Sequence, residues 1–323
     1  MQYRKFGRTG WQVSDIGYGM WGMGGWSGSN DEESLKSLQR AVDLGCNFFD
    51  TAYVYGDGRS ENLLGELVRA NAGKKLYTAT KIPPKNMKYP TLPEYSLEEC
   101  YPPEHIEEFL HKSLKNAGLE SFDLLQIHTW NDDWTNENGW SDMLDELKRQ
   151  GLIAACGISI NRWEPWNGVK AVRSGKIDSV QVIYNIFDQN PEDELFPACE
   201  EMNVAVIARV PFDEGTLTGT LTKDTTFPAD DWRYTYFTPE NLIPSVERAD
   251  ALKPLVSDNS TMPETALRFI LSNETVSTII PGMRKINHVE SNIAASDKSE
   301  LSEDLLDKLR EHRWIRKPAP WSD

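Results

Sequence analysis

Residues 46–82 read CNFFDTAYVYGDGRSENLLGELVRANAGKKLYTATKI, and this stretch decides the fold class. The apolar run at 46–50 predicts a strand that ends at Asp50, and residues 60–73 predict a helix that Gly73 terminates. A second apolar run at 76–82 predicts another strand. A strand, a helix and a strand in close succession are typical of a parallel β-α-β unit.

The same alternation continues in both directions along the chain. Further strands are predicted at 14–19, 121–128, 153–159, 179–185, 204–210 and 276–282, and helices at 30–45, 103–118, about 139–150, about 164–174, 191–202 and 261–272. Asn30 is a good N-cap for the first of these helices, because Glu33 follows three residues later. Several of the strands are continuous apolar runs, which indicates burial on both faces. The fold class is therefore predicted as α/β, a (β/α)8 TIM barrel.

The remaining segments give no indication of a second domain. No linker-like shift in composition interrupts the chain, so we expect one barrel domain over residues 1–323. Residues 3–14, YRKFGRTGWQVS, predict an N-terminal β-hairpin placed to cover the bottom of the barrel. Residues 211–240 show little regular pattern, and loops of that length in a compact domain are usually functional or mobile.

Composition and charge exclude several classes of protein. Lys and Arg (34) against Asp and Glu (50) give a formal net charge of −16 at pH 7, which argues against nucleic-acid or anionic-membrane partners. No apolar run resembles a signal peptide or approaches about 20 residues, so we expect a cytoplasmic protein. The four dispersed cysteines lack metal-ligand spacing, so they predict reduced, core-packed thiols and no metal site.

Polar side chains close three of the predicted strands at the end where barrel enzymes carry their chemistry. Asp50 and Tyr55 follow the second strand, Lys81 ends the third and His128 ends the fourth. Each has an alternative interpretation by itself: a turn cap for Asp50, packing for Tyr55, a surface residue for Lys81 and a rim residue for His128. Their convergence on one barrel mouth favours a shared catalytic role.

Together these four side chains suit proton delivery to a carbonyl oxygen. A Tyr phenol has a pKa near 10, and a buried ammonium beside it is expected to lower that pKa. A carboxylate partner keeps the ammonium charged in a dry site, and a histidine can position the substrate oxygen or share the proton. Such a site lacks only a hydride donor.

The same residues resemble the aldo-keto reductase family. DTAYVYG at 50–56 followed by SENLLGE, TATK ending in Lys81 and LLQIH ending in His128 are similar to that family's catalytic motifs, in the same order, and the resemblance covers nearly the whole chain. It implies a catalytic tetrad of Asp50, Tyr55, Lys81 and His128, with Tyr55 as the acid. It also implies NADPH bound across the barrel mouth without a Rossmann fold.

The resemblance further implies which residues contact the cofactor. Ser159 and Gln181 correspond to residues that bind the nicotinamide carboxamide, and Gln181 has the alternative role of satisfying buried backbone. The loop after the seventh strand corresponds to the one that wraps the pyrophosphate through backbone N–H groups. The implied contacts in that loop and at the adenosine end are Phe212, Gly215, Leu217, Gly219, Gly282, Met283, Arg284, His288 and Asn292.

Three positions depart from the family's pattern. Ile160 follows Ser159 where many members have Asn, and Asn161 comes one residue later, which weakens the expected carboxamide contact. Arg209 stands where many members stack a Tyr on the nicotinamide, and we hypothesise that its planar guanidinium does the same. His288 replaces an Arg that contacts the 2′-phosphate, but Arg284 and neighbouring Lys285 favour NADPH over NADH.

The predicted substrate pocket lies above the tetrad. Trp21 and Trp26 in the first loop and Trp130 after His128 are expected to line it together with Tyr55 and His128. Aromatic walls suit apolar or aromatic carbonyls and also sugars, so the substrate is a small carbonyl compound or sugar of open class.

The function expected from these features is NADPH-dependent reduction of aldehydes or ketones, or the reverse. The alternative is an NADPH-binding sensor or accessory subunit with little turnover. A sugar isomerase on a similar barrel is disfavoured, because metal-ligand clusters are missing from the strand ends. Neither the substrate nor the oligomeric state follows from the sequence.

Overall fold

The computed structural model describes residues 1–26 and 28–317, and its strands form two sheets. Strands β1 (Tyr3–Phe6) and β2 (Trp11–Ser14) pair antiparallel, and eight further strands form a parallel sheet in chain order. These eight are β3 Tyr18–Gly19, β4 Phe48–Asp50, β5 Tyr77–Ile82, β6 Phe122–Ile127, β7 Ile153–Ser159, β8 Ser179–Ile183, β9 Ala205–Arg209 and β10 Val276–Ile279.

The parallel sheet closes on itself between β3 and β10. The N–H of Gly17 donates to the carbonyl of Ile279 at 2.8 Å, and the N–H of Gly19 donates to the carbonyl of Pro281 at 3.0 Å. A Cβ at Gly19 would lie 2.5 Å from the carbonyl oxygen of Ile280, so this close approach requires glycine. The predicted (β/α)8 barrel with an N-terminal hairpin is confirmed.

Twelve α-helices surround the barrel or follow its strands within the described ranges. They are α1 Asp31–Asp43, α2 Arg59–Ala70, α3 Leu97–Cys100, α4 Pro103–Ala117, α5 Trp140–Arg149, α6 Val169–Arg173, α7 Leu195–Met202, α8 Arg233–Tyr236, α9 Pro239–Leu252, α10 Met262–Leu271, α11 Ile286–Ala294 and α12 Glu303–Arg310. The side chain of Asn30 accepts a hydrogen bond from the N–H of Glu33 at 3.0 Å, which confirms the predicted cap of α1.

Two apolar clusters hold the barrel together. The larger cluster fills the space between the outer face of the sheet and the helices, and the smaller one fills the lower interior. The hairpin covers this lower end, since Phe6 stacks on Phe48 at 5.4 Å and Trp11 stacks on Tyr77 at 5.0 Å between ring centroids. The opposite mouth, at the carboxyl ends of the strands, is thereby left for function.

The region at 211–240 has more structure than its sequence pattern indicates. It contains a short 3-10 turn at 213–218 and α8, and it packs Tyr236 and Phe237 against Trp163 in a small separate apolar cluster. This segment therefore forms a folded flap beside the barrel mouth.

Three further sequence predictions can be compared with the fold. All four cysteines are free thiols and buried, as predicted. No helix within the described ranges is long and apolar enough to cross a membrane. The domain predicted over 1–323 includes residues 27 and 318–323, which lie outside the described residues.

Candidate active site

Asp50 lies at the end of β4, and both of its carboxylate oxygens accept hydrogen bonds. Oδ1 accepts from the ammonium of Lys81, and Oδ2 accepts from the amide nitrogens of Gln126 at 2.9 Å and Gln181 at 3.0 Å. The carboxylate is only 2% exposed, so these partners replace the water it has lost. Four polar side chains from β4, β5, β6 and β8 therefore meet inside the barrel mouth.

Lys81 connects this buried carboxylate to the phenol of Tyr55. Its Nζ donates to the carbonyl of Thr51 at 2.7 Å and to Tyr55 Oη at 3.4 Å. Burial by itself lowers the pKa of Lys81, but the charge of Asp50 and then Tyr55 outweigh it and raise that pKa. Lys81 is therefore an ammonium at neutral pH.

Tyr55 lies in the turn after β4 and is partly buried. Burial raises the pKa of Tyr55 above its usual 10.0, while the neighbouring charge of Lys81 acts in the opposite direction. Lys81 thus lowers this pKa as predicted, but removal from water has the larger effect, so the net shift of the Tyr55 pKa is upward. The phenol is consequently protonated at neutral pH and can donate its proton.

His128 follows β6 and stands edge-on to Tyr55, with ring centroids 5.9 Å apart. Burial, then the charges of Lys81 and Arg209, hold the pKa of His128 well below its usual 6.5, so the imidazole is neutral. Its Nδ1 is buried and has no hydrogen-bond partner among the described residues. The structure thus brings all four predicted tetrad side chains together.

Ser159 and Gln181, the residues predicted to bind the nicotinamide carboxamide, are both buried. Ser159 is buried at the end of β7 and pairs in register with Gln181. The amide nitrogen of Gln181 donates to Asp50 and, at 3.0 Å, to Gln126 Oε1. Both amide hydrogens of Gln181 are therefore engaged, and only its Oε1 remains for a ligand.

Asn161 does not take the place of the missing family Asn beside Ser159. Its side chain instead accepts from the N–H of Thr91 at 3.3 Å and donates to the carbonyl of Thr91 at 2.8 Å. Asn161 therefore anchors the loop after β5.

Arg209 ends β9 beside the tetrad. One guanidinium nitrogen donates to the carbonyl of Ile160 at 3.0 Å, while the buried Nε has no partner within the described ranges. Burial and the nearby charge of Arg162 lower the pKa of Arg209 to about 10. This guanidinium still carries its charge at neutral pH and has an unused donor.

The backbone of the loop after β9, which is predicted to contact the pyrophosphate, is hydrogen-bonded within the loop itself. The N–H groups of Gly215 and Leu217 donate to the carbonyl of Phe212 at 3.0 and 2.9 Å, and that of Gly219 donates to Thr216 at 3.2 Å. The side chain of Leu217 is fully buried in the core. In this conformation each of these three N–H groups already has a backbone acceptor, so contact of this loop with a pyrophosphate stays a prediction.

The predicted adenosine end is partly open and partly buried. Gly282 is exposed, and a Cβ there would meet nothing within 4 Å. The Met283 side chain is fully buried and its carbonyl accepts from Tyr18 Oη at 2.7 Å, so the expected contact of Met283 with a cofactor stays a prediction.

The remaining residues of this end surround the start of α11. Arg284 reaches the first loop, where its Nη1 lies 3.5 Å from the carbonyl of Trp26. His288 is exposed on α11, and burial followed by the charges of Lys285 and Arg284 lowers its pKa. Asn292 is buried on the same helix, and among the described residues no side chain caps the N-terminus of α11. A group of basic side chains thus stands beside uncapped helix N–H groups.

One of the three predicted pocket tryptophans contacts the ring of Tyr55, and a second packs against the first. Trp26 lies edge-on to Tyr55 with centroids 6.3 Å apart, and Trp21 packs on Trp26 at 5.0 Å. The flap adds Trp232, which lies 5.6 Å from Trp21. An aromatic wall from two different loops therefore borders the phenol.

Trp130 is not part of this wall. It is fully buried, packs against Trp140 at 4.8 Å between ring centroids, and donates from its indole N–H to Asp132 at 3.0 Å. The prediction that Trp130 lines the substrate pocket is wrong, because this side chain belongs to the core behind the barrel.

Sequence reasoning missed Gln126, Tyr89 and Trp232. Gln126 is a polar residue inside the apolar run LLQIH, two positions before His128, so the two share the inward face of β6. That spacing could have predicted that Gln126 lies inside the barrel beside His128. Tyr89, whose ring lies 5.3 Å from that of His128, and Trp232 come from loops, where no periodic pattern predicts the direction of a side chain.

Comparisons with known proteins agree with this geometry. The sequence profile of the Aldo/keto reductase family matches residues 15–313. The chain is 28% identical to the aldo-keto reductase yakc [NADP(+)] of Schizosaccharomyces pombe, over 95% of this chain and 90% of that protein. It is 27% identical to the NADH-specific methylglyoxal reductase of Escherichia coli, over 90% and 91% of the two chains.

A solved structure shows the same architecture. The glycerol dehydrogenase AKR11B4 from Gluconobacter oxydans superimposes with a TM-score of 0.78 and 26% identity, covering 99% of this chain and 98% of that one. With the family profile spanning most of the closed barrel, the chain belongs to the aldo/keto reductase family, oxidoreductases that act on carbonyl compounds with nicotinamide cofactors.

Proposed function

We propose that the protein reduces aldehydes or ketones to alcohols with NADPH, or catalyses the reverse reaction, with Tyr55 as the proton donor. The observation that carries this proposal is the 3.4 Å contact between Lys81 Nζ and Tyr55 Oη, with Lys81 in turn bound to the buried carboxylate of Asp50. A protonated phenol beside a fixed ammonium is suited to donating a proton and then holding the resulting negative charge.

Each residue of the tetrad then has one task. The reduced nicotinamide supplies the hydride when it is bound. Tyr55 donates its proton to the carbonyl oxygen as negative charge develops there, and Lys81 stabilises the phenolate that remains. Asp50 keeps Lys81 charged, and His128, neutral at physiological pH, donates one hydrogen bond that positions the substrate oxygen.

The residues present fit a nicotinamide dinucleotide at both ends. Arg209 offers a planar guanidinium beside the tetrad, and its buried Nε has no hydrogen-bond partner in the part of the chain that the structure describes. Gly282 leaves open space at the other end, next to the basic side chains of Arg284 and Lys285. Arg209, Gly282 and the start of α11 are therefore the residues we assign to cofactor binding.

The exchange of Tyr55 for Phe tests the proton donor. Tyr55→Phe keeps the ring and removes the proton, so we expect kcat for NADPH-dependent carbonyl reduction to fall by about 10²- to 10⁴-fold. Absorbance of NADPH, followed with a panel of small aldehydes and ketones, measures the loss.

Tyr53→Phe is the matched control, since Tyr53 lies in the same turn but packs against Phe109 at 4.8 Å between ring centroids. It should retain most of the wild-type rate. Unchanged turnover in Tyr55→Phe would refute the mechanism. Binding of NADPH without turnover of any carbonyl in the wild type would favour the accessory-subunit alternative.

We assign the preference for NADPH over NADH to Arg284 and Lys285. The 2′-phosphate of NADPH carries negative charge, which these two basic side chains attract in a chain that is otherwise strongly acidic. We expect Arg284→Ala to lower the ratio of kcat/KM with NADPH to that with NADH about fivefold or more, the loss of roughly 1 kcal/mol of charge interaction. Steady-state rates with both cofactors give the ratio. An unchanged ratio would remove Arg284 from phosphate recognition.

A further inference from the structure

We propose that Arg316, on the segment after α12, is a positioning residue that holds the loop after β9 in the shape that binds the cofactor. The inference rests on the proposed function, because it assumes that a dinucleotide bound by Arg209 also borders the loop that follows Arg209 in the chain. It concerns affinity for the cofactor and leaves proton transfer at Tyr55 untouched.

The loop after β9 adopts an unfavourable backbone conformation. Val210, Asp213 and Glu214 have φ angles of 55°, 47° and 55°, a left-handed region that side chains with a Cβ rarely adopt. For a β-branched residue such as Val210 this conformation is especially unfavourable. Such a backbone persists only where surrounding groups hold it in place.

Arg316 supplies one of those groups from the far end of the described chain. Its side chain is 1% exposed, and its Nη2 donates to Asp213 Oδ1 at 2.6 Å. Its Nε lies 3.3 Å from Asp188 Oδ1, and its Nη1 lies 3.4 Å from Tyr236 Oη. One guanidinium therefore ties the loop after β9 to the loop after β8 and to α8.

The pocket around Arg316 fits a flat guanidinium. Its central carbon lies 4.3 Å from the ring of Trp314 and 5.2 Å from that of Trp163. The segment itself is fixed where the N–H of Trp314 donates to the carbonyl of Phe187 at 2.8 Å. A lysine in this position would lose both the stacking and the forked hydrogen bonds.

Each of the three left-handed residues is held by a different side chain. Asn185 Nδ2 donates to the carbonyl of Val210 at 3.0 Å and also to Asp188 at 2.9 Å, which joins it to the Arg316 network. Arg162 Nη1 binds Glu214 at 2.5 Å. Asp213, the middle residue, depends on Arg316.

The held loop begins directly after Arg209, which ends β9. The pKa of Arg209 falls with burial and then with the charge of Arg162, the partner of Glu214, so the loop and this proposed cofactor contact share one electrostatic environment. A loop fixed before binding saves the cost of ordering it when the dinucleotide arrives. Loss of Arg316 should therefore weaken binding of the cofactor rather than slow the chemical step.

Two substitutions in the full-length protein test this. Arg316→Lys keeps the charge and removes the fork, and Asp213→Asn keeps the shape and removes the ion pair. We expect the Kd for NADPH, measured by tryptophan fluorescence, to rise about tenfold, a size typical of coupling between sites. Amide hydrogen exchange at 210–219 should become faster, while kcat at saturating NADPH stays within about twofold.

Arg313→Lys is the matched control, because Arg313 lies on the same segment but pairs with Asp193 at the surface. It should leave Kd and exchange at wild-type values. Unchanged Kd and exchange in Arg316→Lys would overturn the proposal, as would a fall in kcat with unchanged Kd. Should Arg316→Lys fail to fold, Asp213→Asn decides by the same criteria.

The test also separates this inference from the proposed function. A wild type that binds NADPH but reduces no carbonyl would refute the reductase activity. The same Kd and exchange measurements would still decide the role of Arg316, because neither requires turnover.

Discussion

Asp50 receives hydrogen bonds from one ammonium and two amides, and this arrangement explains how a charged group persists in the barrel interior. Buried carboxylates are costly unless every lone pair is satisfied. Gln126 and Gln181 meet that requirement from β6 and β8, so they support the proposed catalytic site even without contact to a substrate. Their amides also fix the direction from which Asp50 faces Lys81.

His128 gives stability a dependence on pH whose sign follows from its low pKa. The unfolded chain binds a proton near pH 6.5 and the folded chain does so only at lower pH, so stability falls as pH drops below 6.5. Between pH 7.5 and 5.5 we expect the wild type to lose about 1 kcal/mol more stability than His128→Asn. Urea unfolding at the two pH values measures this difference.

His111→Asn, which changes an exposed residue of α4, serves as the control. Between pH 7.5 and 5.5 it should lose as much stability as the wild type. Equal losses in the wild type and in His128→Asn would show that His128 does not contribute to the pH dependence.

At this scale the sequence predicted which four side chains meet but not how burial affects them. The order of Asp50, Tyr55, Lys81 and His128 on successive strands requires them to converge once the barrel closes. The pKa of Tyr55 depends on how much water the surrounding loops exclude. That quantity is set by tertiary packing, which no local motif records.

Among the structural elements, the loop after β5 has the clearest anchor. Asn161 makes two hydrogen bonds with Thr91, and these hold Tyr89 beside His128. Asn161→Ala should lower the free energy of opening this loop by about 1–2 kcal/mol, since two hydrogen bonds are lost. We expect trypsin to cleave after the exposed Lys88 roughly tenfold faster, measured on native protein.

Asn138→Ala provides the comparison, because Asn138 is exposed in the stretch between β6 and α5. Cleavage after Lys88 should keep its wild-type rate there. Identical rates in Asn161→Ala and the wild type would show that Asn161 does not anchor the loop.

Elements with strong periodicity were predicted closely, and those governed by tertiary contacts were not. The helix expected at about 164–174 is restricted to Val169–Arg173, because Trp163 has a φ of 57° and the side chain of Asn167 binds the carbonyl of Trp130. The flap at 211–240 was expected to lack regular structure. Its aromatic residues pack on Trp163, a partner distant in the chain that local patterns cannot indicate.

For the whole molecule, the hairpin with its apolar cluster and the candidate active site lie at opposite ends of the barrel. Phe6 is fully buried under β4, so Phe6→Ala should lower the free energy of unfolding by about 3–5 kcal/mol through lost contacts and a cavity. The folded fraction should keep the wild-type kcat, because the hairpin lies at the end opposite the tetrad. Urea unfolding and assays at fixed folded concentration test both statements.

Lys5→Ala, on the same strand but exposed, should change stability by less than about 0.5 kcal/mol. A fall in kcat of folded Phe6→Ala would contradict the separation of the two ends.

The barrel itself was predictable because continuous apolar strands alternating with helices admit few architectures. Closure of the barrel between β3 and β10 was harder to predict, because it depends on the close backbone approach at Gly19 and not on a side-chain pattern. The hairpin was predictable as an element, and its aromatic stacking on Phe48 and Tyr77 became visible only in three dimensions.

The four buried cysteines can serve as chemical probes of which part of the barrel unfolds first. Cys46 precedes β4, Cys100 ends α3, Cys156 lies in β7 and Cys199 in α7, so each samples a different sector of the barrel. Burial raises the pKa of Cys46 and Cys156 to about 12 and that of Cys100 to about 11, which leaves almost no reactive thiolate at neutral pH. Alkylation of any one thiol therefore requires local unfolding around it, and the order in which the four become labelled traces the order in which the sectors separate.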